Sequence, residues 1–216
     1  MIAILVGEVA MSERYPPRRL AQVVLGCVVL GTGVAMLLTA DLGSDGFSTL
    51  VNGVSLATGT SFLVANLLIS LAFLAVAALR RVFPGVGTII QVAVVGWTVS
   101  YLIGVLETPD GLVWRLALLA VALPVVALGI AVYLGANTGA GPAESAALAW
   151  DPPVPFKWSY SLVQGGGAVV GWLLGATIGV GTVAVILVLG PAVDLVSRLL
   201  RLDVHQGTDA GGPAAP

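Results

Sequence analysis

The chain has 216 residues, of which 58% are apolar and only 9% charged, with a net charge of −2. Soluble domains carry about 25% charged residues, so this composition, with a mean hydropathy of +1.04, excludes an ordinary soluble helical bundle, whose helices need a polar face. There is no basic patch for nucleic acid, and one cysteine (Cys27) with one histidine (His205) leaves no cluster for zinc or haem, so no metal and no cofactor is expected.

Residues 1–19 read as a cytoplasmic N-terminal segment. The apolar stretch Ile2 to Val6 is too short for a signal-peptide core and lacks a basic leader. Beyond Arg19 the charges thin out. None falls between Arg19 and Asp41, Asp45 and Arg80, Arg81 and Glu107, Arg115 and Glu144, or Lys157 and Asp194. A helix of about 20 apolar residues crosses the hydrocarbon core. Six spans are therefore predicted, at roughly 20–40, 60–79, 86–106, 115–135, 159–177 and 180–198. Two shorter segments, 44–58 and 140–156, follow the first and fourth spans. Fifteen helical residues reach only about 22 Å, short of the roughly 30 Å core. The first segment also holds Asp45, Ser48, Asn52 and Ser55, and the second Glu144, Asp151 and several prolines. Both read as half-helices that enter the membrane part-way or lie along it. The tail 203–216 is mostly Gly, Pro, Ala and Asp and is expected to be disordered.

The chain repeats itself. Gly85-Val86-Gly87-Thr88 returns as Gly179-Val180-Gly181-Thr182, each opening an apolar run. Upstream, Gly33-Val34-Ala35 is echoed by Gly129-Ile130-Ala131, and Ala40-Asp41-Leu42-Gly43 by Ala136-Asn137-Thr138-Gly139. The expected fold is an all-α polytopic membrane protein with repeats at 20–106 and 115–202. Three spans per repeat is odd, so the second copy starts on the opposite face and the repeats are inverted, with a site at their interface. Cytoplasmic loops collect Lys and Arg. With six spans and both termini cytoplasmic, every basic residue except Arg115 falls inside, as in a bacterial inner-membrane protein.

Candidate site residues follow the repeats. The loop Gly43-Ser44-Asp45-Gly46 and its counterpart around Gly139 and Gly141 let the backbone turn and approach a ligand. Each feeds a short helix whose free N–H groups suit an anion or polar head, with Ser44 or Asp45 as an alternative cap. Asp45 and Glu144 are candidates for ion or proton handling. Asn66, Ser70, Ser159, Ser161 and Gln164 bond neighbouring helices or line a substrate path. Asp194 and Arg198 are four apart and can pair. Gly167, Gly171 and Gly175 have the small-xxx-small spacing of close helix contacts. Trp97 and Trp172, mid-span, are expected to be packed, whereas Trp114, Trp150 and Trp158 fall near span ends. Catalytic motifs are missing, so no enzyme is expected.

Arg18-Arg19-Leu20, Ala40 to Gly46, Gly59-Thr60-Ser61 and Gly85 to Thr88, followed by Gly139 to Glu144 and Gly179 to Thr182, resemble the YczE/YyaS/YitT group of bacterial integral membrane proteins. The likeness runs from about 16 to 202. Members of that group carry proline, an aromatic and an acid where this chain has Gly46-Phe47-Ser48, so an acidic role at Ser48 is unavailable here. The resemblance implies a multi-span inner-membrane protein connected with transport. The leading expectation is a secondary carrier or exporter of a small solute, with proton coupling and a homo-oligomer both open. The alternative is a non-transporting membrane scaffold or regulator that binds a partner through its helices.

Overall fold

The computed structural model describes residues 16–150 and 153–202. The expected N-terminal segment and the tail therefore lie mostly outside the described residues, as do Asp151 and His205. The regular elements are all helices: α1 (Pro17–Ala40), α2 (Gly46–Thr58), α3 (Phe62–Leu79), α4 (Val86–Ile103), α5 (Leu112–Leu134), α6 (Pro142–Leu148), α7 (Phe156–Leu173) and α8 (Val180–Leu200). Five of them, α1, α3, α4, α5 and α8, are long and apolar enough to cross a membrane. The expected sixth, α7, has 18 residues but falls short on composition. Lys157, Ser159, Tyr160, Ser161, Gln164 and three successive glycines dilute its apolar content.

The core is built around α1. Of its most apolar stretch 61% is buried, against 22–39% for the other four long helices, so α1 is the central post and the others face outward. It runs antiparallel to α5: Gly26 lies beside Tyr133, Leu30 beside Gly129 and Gly33 beside Val126. Glycine is required there, because a Cβ on Gly26 would stand 2.6 Å from the Tyr133 backbone nitrogen. The remaining packing comes in pairs. α1 packs on α4 as α5 packs on α8, and α2 packs on α7 as α6 packs on α3. The contact of α3 with α4 has no comparable α7–α8 counterpart.

The duplicated Gly-Val-Gly-Thr phrases start α4 and α8, and each clasps the loop of the other half. Gly181 N–H donates to Leu42 O at 2.7 Å, and Gly87 N–H donates to Thr138 O at 3.0 Å. The two loops share a backbone path. Asp41 and Asn137 are left-handed, at φ 51° and 52°, and Gly43 and Gly139 also have positive φ. Asp and Asn tolerate that region better than other side chains.

These loops fold back along the bundle. Asp41, ending α1, is level with Thr177 beyond the end of α7, since the Thr177 hydroxyl donates to its carboxylate. Five residues later Gly46 lies against Gln164, midway along α7, and α2 then runs parallel to α7 so that Gly53 meets Gly171. The chain thus dips inward as an extended loop and returns as a short helix. At the other end, α6 leads to Ala149 and Trp150. Arg80 Nε donates to Ala149 O at 3.0 Å, and its guanidinium lies 4.9 Å from the Trp150 ring.

Several packing expectations need correcting. Trp97 and Trp172 are 59% and 54% exposed; Trp97 stacks on Tyr101 along the outer face of α4. Asp194 and Arg198 form no ion pair, and Asp194 O instead accepts from the Ser197 hydroxyl. Among the described residues the ion pair is Arg115–Asp41, at 3.2 Å. Gly167 and Gly171 do meet α2, but Gly175 ends the close contact with open space around it.

Candidate functional site

The two short helices begin at one central cavity of about 80 Å³. Its wall draws on all eight helices. A buried water needs roughly 10–15 Å³, so the space holds a few waters or a small solute.

Asp45 caps α2. Its carboxylate accepts from the Ser48 N–H at 2.9 Å and the Ser44 hydroxyl at 3.2 Å, as an N-cap acid should. The neighbouring Phe47 N–H donates to Gln164 Oε1 at 3.0 Å. From there a relay crosses the cavity. Gln164 Nε2 donates to the Tyr160 hydroxyl at 2.7 Å, and Tyr160 donates to Glu144 Oε1 at 3.4 Å. The backbone of one half-helix is thereby joined through α7 to the acid of the other. The spacing of Tyr160 and Gln164, four apart on α7, puts both side chains on one face.

The expectation that the start of α2 would offer free N–H groups to an anion is overturned by this geometry. Asp45 and Gln164 already occupy the Ser48 and Phe47 donors. At α6 the first helical residue is Pro142, which has no N–H, and Glu144 adds an acid in the same turn. Among the described residues no Lys, Arg or His lines the cavity.

Of the sequence-predicted site residues, the fold brings Asp45, Asn66, Glu144 and Gln164 to the cavity wall. Asn66 spends its amide donor on Val92 O of α4, at 2.9 Å. Gly43 and Gly139 lie apart from the lining, against Thr182 and Thr88. Gly46 is pressed on the Gln164 backbone, and Ser44 is buried beside Asp45. Gly141 caps α6, surrounded by Glu144, Gln91 and Tyr133. Ser70 is buried away from the lining, and Ser159 bonds Ala147 O.

Three polar lining residues were not anticipated: Gln91, Tyr133 and Tyr160. Tyr160 was legible from its spacing to Gln164. Gln91 was legible as the lone amide in the apolar run that opens α4. Tyr133 carried no such signal, because a tyrosine near a span end reads as an interface anchor. It is 2% exposed, and its hydroxyl makes no hydrogen bond of good geometry.

A family model matches residues 17–198. The chain belongs to the DUF6198 family. Its description is a family of unknown function. An uncharacterized protein of Haemophilus influenzae is 25% identical to the DUF6198 chain over 181 residues, covering 82% of each. No solved structure matches it. The five apolar helices make the DUF6198 chain an integral membrane protein.

Proposed function

We propose that this chain is a secondary transporter or exporter of a small solute, working by alternating access at the interface of two inverted repeats. The supporting observation is the cavity itself: both half-helices start there, and a hydrogen-bond relay ties Glu144 of one to the backbone of the other. Discontinuous helices meeting near the bilayer midplane are the usual site of such carriers. Inversion is favoured by the antiparallel run of α1 and α5, the helices that carry matching sequence, and by the twofold exchange of the loop clasps. In this reading α7 is the sixth span. Ser159, Tyr160 and Gln164 turn toward α2 and α6 rather than lipid, and the bilayer is the partner of the outer faces. Proton coupling at Glu144 and Asp45 fits two cavity acids, since acids inside membranes commonly serve ion pathways. The likeness to the YczE/YyaS/YitT group points the same way.

Two experiments test this. With Cys27 replaced, single cysteines at Pro84 and Val180 should react with impermeant reagents from opposite compartments; reaction from one side removes the inversion. Proteoliposomes containing a pH-sensitive dye and challenged with a panel of small solutes should give a solute-dependent signal. That signal should be lost in Asp45→Asn/Glu144→Gln protein that inserts normally. A signal unchanged by the double substitution, or none for any solute, favours the scaffold reading.

A further inference from the structure

Resting on the carrier reading, we infer that the cavity selects a small organic cation of the alkylammonium type. The argument is an inventory of what the wall leaves unspent. Several donors are committed, and the Gln91 amide is the open one. Phe47 N–H and Ser48 N–H are taken by Gln164 and Asp45, Gln164 Nε2 by Tyr160, Tyr160 O–H by Glu144, and Asn66 Nδ2 by Val92 O. The charged groups at the wall, Asp45 and Glu144, are both acceptors. A carboxylate has about four lone-pair sites, of which Glu144 uses one on Tyr160. The Asn66 carbonyl oxygen accepts no hydrogen bond, its amide nitrogen having found the partner.

A second, independent feature is Tyr133. Tyr133 lines the cavity and is 2% exposed, and its hydroxyl, beside the Gly141 N–H, makes no hydrogen bond of good geometry. A buried polar group left unpaired costs about 1–3 kcal/mol, and a bound donor would relieve that cost. An ammonium group carries up to three N–H donors and a positive charge. It would pair with Glu144 and carries further N–H donors for the Asn66 carbonyl or Tyr133, and among the described residues no cation competes for the wall. The rings of Phe47, Phe62, Tyr133 and Tyr160 also line the space, and aromatic faces attract organic cations. A divalent metal fits less well, because no group of three His, Cys, Asp or Glu side chains gathers among the described residues. An anion meets two acids and no base.

The test uses the full chain in lipid nanodiscs, with thermal unfolding followed by tryptophan fluorescence. The probe is ethylammonium chloride, with sodium chloride and sodium acetate at matched ionic strength as the inorganic-cation and anion arms. Ethylammonium should raise Tm saturably and the two sodium salts should not. Glu144→Gln should weaken apparent ethylammonium affinity about 10–100-fold, the range for losing a charged hydrogen bond. Tyr133→Phe, which keeps the ring and serves if the first variant misfolds, should weaken it about 2–10-fold. An equal shift from sodium chloride or sodium acetate overturns the inference, as does an ethylammonium response unchanged in both variants. Ethylammonium binding without movement of any solute in proteoliposomes supports the cation site and fails the carrier reading. Movement of an anion or neutral solute without ethylammonium binding does the reverse.

Discussion

Replacing Gly26 by alanine tests the crossing of α1 and α5, on which the rest of the bundle is assembled. The added Cβ would stand 2.6 Å from Tyr133 N and 2.9 Å from Tyr133 Cα. Those are backbone atoms of a packed helix, so no rotamer change relieves the contact and the helices must part. Overpacking of this kind costs about 1–3 kcal/mol. Alanine returns about 1 kcal/mol through helix propensity, leaving a net loss of about 0–2 kcal/mol. Gly165 on α7 is the control, because a Cβ there meets nothing within 4 Å. Gly165→Ala should therefore gain up to about 1 kcal/mol. The two variants should differ by about 1–3 kcal/mol, or about 2–12 °C in Tm for a chain of this size. Thermal unfolding in one detergent, followed by circular dichroism, reads the difference. If both substitutions move Tm in the same direction by the same amount, the close approach of α1 and α5 is wrong.

The two clasps should respond unequally to one chemical change. Thr88→Val removes a hydroxyl that donates to Ala140 O at 2.6 Å and accepts from Gly85 N–H at 3.2 Å, so chemical denaturation should register a loss of about 1–3 kcal/mol. Thr182→Val should be near neutral in the same assay, because the Thr182 hydroxyl has no partner. Gly139→Ala imposes a side chain at φ 134° and crowds Gly85; a loss of about 1–3 kcal/mol is expected, read as a lowered Tm. Gln164→Leu strands the Phe47 N–H and should lower Tm by an amount equivalent to about 1–3 kcal/mol. Asp41→Asn breaks a pair whose side chains are 44% and 32% exposed. It should change stability by at most about 1 kcal/mol and reduce the dependence of Tm on salt.

The long helices were legible because absence of charge over about 20 residues has one physical reading. The short helices were legible because polar residues shorten an apolar run. Their start residues, Gly46 and Pro142, lie within two positions of the expected ones. The duplicated glycine phrases were seen, but their task was not. Helix starts were expected, whereas Gly87 and Gly181 also meet a loop from the opposite half, a relation between residues about fifty and about 140 positions apart that no local pattern encodes. The site divides the same way. Asp45 and Glu144 stand out as acids in apolar surroundings, and both reach the cavity. Gly43 and Gly139 stand out equally, yet they are held by packing against threonines. Trp97 and Trp172 were misplaced because mid-span position says nothing of which way a side chain points around the helix. Lipid satisfies an apolar ring as well as a protein core does.

A molecule made of two matching halves, one turned over, would have no preferred direction of its own. In the carrier proposed above, Asp41 would end that neutrality. It binds Arg115 and Thr177, whereas its counterpart in the repeated sequence is the uncharged Asn137. Electrolyte on the Asp41 side would then loosen contacts that have no charged counterpart at Asn137, so a salt gradient would act as a lever on polarity in that proposed carrier.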